Sequence, residues 1–65
     1  MQTGYISRLG SRGFGFIEPA DGGPDIFFNF RQCRLRDQDL QVGDRVCFEL
    51  NQLGKDRRAV EVRVL

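Results

Sequence analysis

The 65-residue chain carries ten Lys and Arg residues against nine Asp and Glu, so its formal net charge is only +1. With 40% hydrophobic and 29% charged residues, the composition is that of one small globular domain and excludes a disordered, collagen-like or coiled-coil class. Bulk charge therefore predicts no partner, and any attraction to nucleic acid has to come from where the basic residues are placed.

The pattern of short apolar runs and turn residues predicts five strands. The predicted strands cover residues 1–9, 12–18, 25–29, 45–50 and 59–65. Gly, Pro, Asn and Asp residues predict turns at 10–11, 19–24, 42–44 and 53–56. Residues 32–39 are polar and lack a helical period, so they are predicted to form a loop with room for one turn of helix, anchored by Leu35 and Leu40.

Five strands separated by turns about every ten residues predict a small closed antiparallel barrel, because closure removes the exposed edges of an open sheet. The predicted core residues are Ile17, Ile26, Phe28, Val46 and Phe48. In the last strand the pattern leaves open which side faces the core, since Ala59 and Leu65 alternate out of phase with Val60, Val62 and Val64.

Cys33 and Cys47 are the two cysteines, and the chain has no histidine. Zinc needs about four nitrogen or sulfur ligands, and no such set exists, so we predict no metal and no cofactor. The spacing leaves a disulfide open, but no apolar run is long enough for a signal peptide or a membrane span, which favours free thiols in the cytoplasm. Cys47 alternates out of phase with Val46 and Phe48, so we expect it to be accessible to thiol reagents.

Five of the six phenylalanines lie in two short strings, residues 12–17 and 25–30. Strand alternation sends Phe14 and Phe16 to one face of the second strand, and Phe27 to the corresponding face of the third. Small soluble proteins seldom expose such a patch without a partner. Aromatic rings beside arginine are typical of a surface that stacks unpaired bases.

These strings resemble motifs of the cold shock domain family, whose pattern runs Gly-x-Val-Lys-Trp-Phe-Asn, Lys-Gly-Phe-Gly-Phe-Ile, Asp-Gly, Asp-Val-Phe-Val-His-Phe and Gly-x-x-Val-x-Phe. The counterparts here are Gly4-Tyr5-Ile6-Ser7-Arg8-Leu9-Gly10, Arg12-Gly13-Phe14-Gly15-Phe16-Ile17, Asp21-Gly22, Asp25-Ile26-Phe27-Phe28-Asn29-Phe30 and Gly43-Asp44-Arg45-Val46-Cys47-Phe48. The resemblance spans essentially the whole chain. It implies a five-stranded barrel of the OB type that binds single-stranded RNA and DNA through stacking aromatics.

The chain departs from the family pattern on the implied binding face. The family's Trp-Phe pair falls on Arg8 and Leu9, its His falls on Asn29, and the loop at 32–39 lacks the aromatic residue that the family often carries. Stacking is worth about 1–3 kcal/mol per base, so fewer rings imply weaker binding. Arg8 can compensate in part, because a guanidinium plane also stacks.

The predicted nucleic-acid-binding residues are Arg8, Arg12, Phe14, Phe16, Asp25, Phe27, Asn29, Phe30 and Lys55. Several of them have a structural alternative. Phe30 could plug the barrel, Asp25 could fix its turn, and Arg12 and Lys55 could be solvated residues at a strand end and a turn. The glycines beside Phe14 are expected to let neighbouring rings lie flat against a ligand.

No side chains suggest catalysis, since nothing assembles a nucleophile, a base and an orienting group. The predicted function is therefore binding of single-stranded RNA or DNA with low sequence specificity, by a monomer that disfavours RNA secondary structure. The alternative is a barrel that has lost affinity for nucleic acid and binds a protein through its aromatic face.

Overall fold

A computed structural model describes residues 1–32 and 40–65, so the predictions for Cys33 and Leu35 lie outside the described residues. Its elements are β1 (Gln2–Leu9), β2 (Phe14–Pro19), β3 (Ile26–Asn29), a single 3-10 turn (Phe30–Gln32), β4 (Arg45–Leu53) and β5 (Asp56–Val64). The five predicted strands are confirmed. The last two are longer than predicted, because Asn51 to Leu53 pair with Asp56 to Arg58 in a ribbon that extends to the turn.

The strands form a closed barrel in the order β1-β2-β3-β5-β4, which confirms the predicted barrel. Four neighbouring pairs are antiparallel. The pair that joins β3 to β5 is parallel, with Phe27 opposite Arg58 and Phe28 opposite Ala59. This parallel pair sets residues of β5 beside the second aromatic string.

The interior of the barrel holds the residues that strand alternation predicted. Ile17, Ile26, Phe28, Val46 and Phe48 are each at most 1% exposed. Leu40 is also buried, so one of the two predicted loop anchors is confirmed, and Leu50 packs against the cluster from its edge. Burying side chains of this size contributes about 1.5–3 kcal/mol each, which makes this cluster the main source of stability.

A β-bulge in β1 reverses which side of the strand faces the core. Ile6 pairs with Ile17, but Arg8 pairs with Phe16, so β1 carries one extra residue between these pairs. An extra residue shifts the alternation by one position. As a result Leu9 packs against the core, whereas Arg8 is exposed on the outer surface next to Phe16.

A second irregularity, in β5, explains which side chains of that strand face the core. The pairing of β5 with β4 shifts between Val60 and Arg63, and Glu61 has a left-handed backbone with φ 54°. Ala59, before the shift, and Val62, after it, are both 1% exposed. The phase that contains Ala59 therefore faces the core before the bulge, and the phase that contains Val62 faces it after the bulge.

The prediction that Cys47 is accessible was wrong, since its side chain is only 8% exposed. Its neighbours Val46 and Phe48 fill the core, so alternation does place Cys47 on the outer face. However, β4 lies between two strands, and Cys47 pairs with Thr3 on one side and Arg63 on the other. Cross-strand partners share a face, and these larger residues flank the small thiol on both sides.

The glycine between the two rings of β2 serves the core, which differs from the expected role of letting the rings lie flat. Gly15 points inward, where a Cβ would stand 2.8 Å from Cε1 and Cζ of Phe28 and 2.9 Å from the Arg8 carbonyl oxygen. Gly13 has open space around it but a φ of 84°, which favours glycine. It ends the turn before β2, and its carbonyl oxygen accepts a hydrogen bond of 2.9 Å from the Phe30 N–H.

Candidate nucleic-acid interface

Three phenylalanine rings meet on the outer surface of β2 and β3, and we call Phe14, Phe16 and Phe27 the ring cluster. Phe16 pairs directly with Phe27 across the two strands, with ring centroids 5.8 Å apart at an interplanar angle of 75°. Phe14 lies 5.8 Å from Phe27 in a stacked arrangement and 6.1 Å from Phe16, edge to face. All three rings are half-buried, so each keeps accessible apolar surface.

The position of the Phe14 ring depends on the glycine that follows β1. A Cβ on Gly10 would stand only 2.6 Å from Cζ of Phe14, so the ring lies over the backbone at this point. The Gly10 N–H also donates a hydrogen bond of 2.8 Å to the Phe14 carbonyl oxygen. The turn between β1 and β2 is thereby tied to the edge of the ring cluster.

Arg58 on β5 extends the ring cluster and was missed by the sequence analysis. Its guanidinium carbon lies 5.5 Å from the centroid of the Phe27 ring, within the range of a cation–π contact. The contact follows from the parallel pairing of β3 with β5, which makes Arg58 the direct partner of Phe27. The Arg57-Arg58 pair was visible in the sequence, but nothing local indicated that β5 lies beside β3.

Arg8 borders the ring cluster on the opposite side. The bulge in β1 makes it the cross-strand partner of Phe16, and its side chain is exposed. Cross-strand pairing therefore lines up Arg8, Phe16, Phe27 and Arg58 in one row across four strands. Two rings lie between two guanidinium groups, and each of the four side chains can stack against a planar base.

The structure does not bring Phe30 into the ring cluster. The Phe30 ring lies 5.9 Å from the buried Phe28 ring and packs against the core. This position agrees with the alternative in which Phe30 plugs the end of the barrel. Asn29 lies on the outer face opposite Phe14, and its Oδ1 accepts a 2.9 Å hydrogen bond from the Arg31 backbone N–H.

The three charged residues predicted at the site occupy different places around it. Arg12 is exposed in the turn before β2, two residues from Phe14, and Lys55 is exposed in the turn between β4 and β5. Asp25 precedes β3, and its Oδ2 lies 2.7 Å from the Ser7 Oγ, which donates to it. The same hydroxyl lies 3.2 Å from the Phe16 carbonyl oxygen, so Asp25 and Ser7 link the bulge of β1 to the start of β3.

A cleft with a volume of about 430 Å³ lies beside the ring cluster, between the end of β3 and the ribbon of β4 and β5. Its polar lining consists of Asn29, Arg31, Asn51, Asp56 and Arg58. Arg58 thus contacts Phe27 and also forms part of the cleft wall. In residues 1–32 and 40–65 no three His, Cys, Asp or Glu side chains are grouped so that they could hold a metal ion. No helix of the described chain is long and apolar enough to cross a membrane.

Comparison with known proteins supports the same interpretation of the fold. Residues 2–65 match the family model described as 'Cold-shock' DNA-binding domain. The chain is 42% identical to the cold shock-like protein CspB of Yersinia pestis over 65 residues, which covers 97% of this chain and 93% of that protein. It is 39% identical to the cold shock-like protein CspE of Escherichia coli K12 over 56 residues, covering 85% and 81% of the two chains.

A solved structure extends the comparison to the backbone. The structure described as "drosophila Unr CSD456" superposes with a TM-score of 0.87 at 25% sequence identity. It covers 98% of this chain, whereas this chain spans 26% of that one. Because the family model matches residues 2–65 and the relatives above are cold shock-like proteins, the chain belongs to the cold-shock domain family.

Proposed function

We propose that this protein binds single-stranded RNA or DNA by stacking unpaired bases on the ring cluster. The observation that carries the proposal is the row of Arg8, Phe16, Phe27 and Arg58 across one outer face of the barrel. Members of the cold-shock domain family bind nucleic acid, which supports this use of the surface. The role is binding without catalysis.

Stacking gives little sequence preference, because every base has a planar face. Phe14 and Phe16 present their accessible surface directly. Phe27 is contacted by Phe14 and by the guanidinium of Arg58. A base that approaches Phe27 therefore stacks on the outer side of the guanidinium or displaces it. In both cases Arg58 is close enough to pair with a neighbouring phosphate, which a phenylalanine cannot do.

Binding of this kind would loosen RNA secondary structure without an energy source. A protein that binds the open strand and not the hairpin shifts the equilibrium toward the open strand by mass action. The effect grows with protein concentration and needs no sequence-specific contact. The proposed role as an RNA chaperone follows from this equilibrium alone.

We expect weaker binding than a complete cold-shock platform would give. The positions of the family's Trp-Phe pair hold Arg8 and Leu9, and Leu9 packs against the core instead of facing the ligand. One of the two positions therefore holds a half-buried aliphatic side chain in place of a ring, and the other carries a guanidinium. At about 1–3 kcal/mol per stacked base, one lost ring lowers affinity by about 5- to 150-fold.

Titration of a fluorescently labelled oligopyrimidine with the wild type and Phe16→Ala, at two salt concentrations, tests the proposal. We expect salt-sensitive binding by the wild type and a loss of about tenfold or more in Phe16→Ala. Val42→Ala is the matched control, because it also shortens an exposed apolar side chain, 63% accessible, but lies in the turn before β4.

Circular dichroism of each variant shows whether the fold is kept. Absence of binding by the folded wild type would refute the proposal and favour the alternative, an aromatic face that binds a protein. Equal loss in Val42→Ala and Phe16→Ala would also refute the assignment to the ring cluster.

A further inference from the structure

The cleft beside the ring cluster has the size and chemistry of a site for one nucleobase. Its volume of about 430 Å³ falls in the usual range for small-molecule sites, about 300–1,000 Å³. It adjoins the ring cluster directly, because Arg58 contacts the Phe27 ring and lines the cleft. A strand that stacks on the ring cluster can therefore place its next base in the cleft.

Strand phase brings the polar groups of the cleft to one face. Asp56 and Arg58 are two residues apart on β5 and so point to the same side of the strand. Asn51 is the cross-strand partner of Arg58 on β4. Asn29 lies two residues beyond Phe27 on β3 and also lines the cleft. Arg31 lines the cleft as well, so a carboxylate, two amides and two guanidinium groups converge on one space.

The carboxylate of Asp56 decides which part of a nucleotide fits there. A phosphate can pair only with the guanidinium groups and is repelled by the carboxylate, whereas a base edge can donate its N–H groups to the carboxylate and offer its acceptors to a guanidinium. The side chain is exposed and lines the cleft, so an incoming base can reach it. A base that carries both donors and acceptors can therefore use more of the polar groups of the cleft than a phosphate can.

We infer that the cleft binds one base of the strand and prefers guanine, an inference that rests on the proposed function. Guanine places two adjacent donors, N1–H and N2–H, on one edge, and these match the two oxygens of the Asp56 carboxylate. Its O6 and N7 are acceptors suited to a guanidinium such as that of Arg58. Uracil and thymine offer one N–H between two carbonyl oxygens, which the carboxylate would repel.

The inference is tested with a labelled oligothymidine and with a series of oligothymidines in which a single guanosine replaces thymidine at each position in turn. A matched series carries inosine, which lacks the exocyclic amine of guanosine. We expect one guanosine position to raise affinity about tenfold over oligothymidine, and inosine at that position to lose most of the gain. Because the wild type alone gives this comparison, the result does not depend on any variant folding.

Asp56→Asn assigns the preference to the cleft. The amide keeps the shape of the side chain but replaces one acceptor with a donor, so the ratio of guanosine to inosine affinity should fall to near one. The ratio is used because removing a negative charge changes the affinity for every strand. Asp21→Asn is the control for charge, since Asp21 is exposed in the turn after β2 and does not line the cleft.

The outcomes separate this inference from the proposed function. If oligothymidine binds and neither guanosine nor inosine changes its affinity at any position, the guanine site is refuted, whereas the proposed binding by the ring cluster is retained. If the guanosine preference persists in Asp56→Asn, the preference lies elsewhere and the assignment to the cleft is refuted. If no strand binds, the proposed function fails and this inference fails with it.

Discussion

Replacing Gly15 with alanine tests the packing that holds the ring cluster in place. The new Cβ would stand 2.8 Å from two ring carbons of Phe28 and 2.9 Å from the Arg8 carbonyl oxygen. Neither can move easily, because Phe28 is fully buried and the oxygen belongs to the backbone. Overpacking of this kind costs about 1–3 kcal/mol. A chain of this length has a free energy of unfolding of about 3–10 kcal/mol, so the loss is a large fraction of it.

Urea unfolding followed by circular dichroism measures the effect. With a urea dependence of about 1 kcal/mol per M for a small domain, the midpoint should fall by about 1–3 M in Gly15→Ala. Phe28→Leu in the same background removes the ring atoms that the Cβ meets, so the double variant should lose less stability than the sum of the two single variants.

Two results would contradict this reasoning. A Gly15→Ala midpoint within about 0.3 M of the wild type would show that the contact relaxes without cost. Strict additivity in the double variant would show that the loss does not come from the Phe28 ring.

Two further predictions concern reactivity and charge. In a Cys33→Ser background, Cys47 should react with a thiol reagent at least about tenfold more slowly in the native protein than in urea, as its burial requires; equal rates would contradict it. If Arg8, Arg12 and Arg58 each neutralise one phosphate, the logarithm of the binding constant should fall with the logarithm of salt concentration with a slope near −2, at about 0.7 per phosphate. A slope near zero or steeper than about −4 would contradict this count of phosphate contacts.

The strands and the core could be predicted because side chains in a strand alternate with a period of two. In β2 and β3 this rule holds without interruption, and Ile17, Ile26 and Phe28 are buried as predicted while Phe16 and Phe27 face outward. The ring cluster therefore follows from the sequence of two short strings. Its rings meet because the turn between β2 and β3 sets the register in which Phe16 pairs with Phe27.

The rest of the site could not be predicted, because it depends on the bulge in β1 and on one long-range pairing. A bulge shifts alternation by one residue, and in β1 this places Arg8 outside and Leu9 inside. Nothing in the local pattern marks where the extra residue falls. Arg58 was missed for a different reason, since its contact with Phe27 arises from strands that are nearly thirty positions apart in the chain.

A near-neutral chain can still present a nucleic-acid surface, because affinity depends on which charges lie along the strand's path. Arg8 and Arg58 stand at the two ends of the row that contains Phe16 and Phe27, whereas Asp25 beside the row is held by the Ser7 hydroxyl. A guanidinium at each end supplies both a planar face and a positive charge. Where the family pattern has a Trp-Phe pair, this chain has one guanidinium on the surface and one half-buried leucine packed against the core. A larger share of its binding free energy should therefore depend on salt concentration than in a platform made of rings alone.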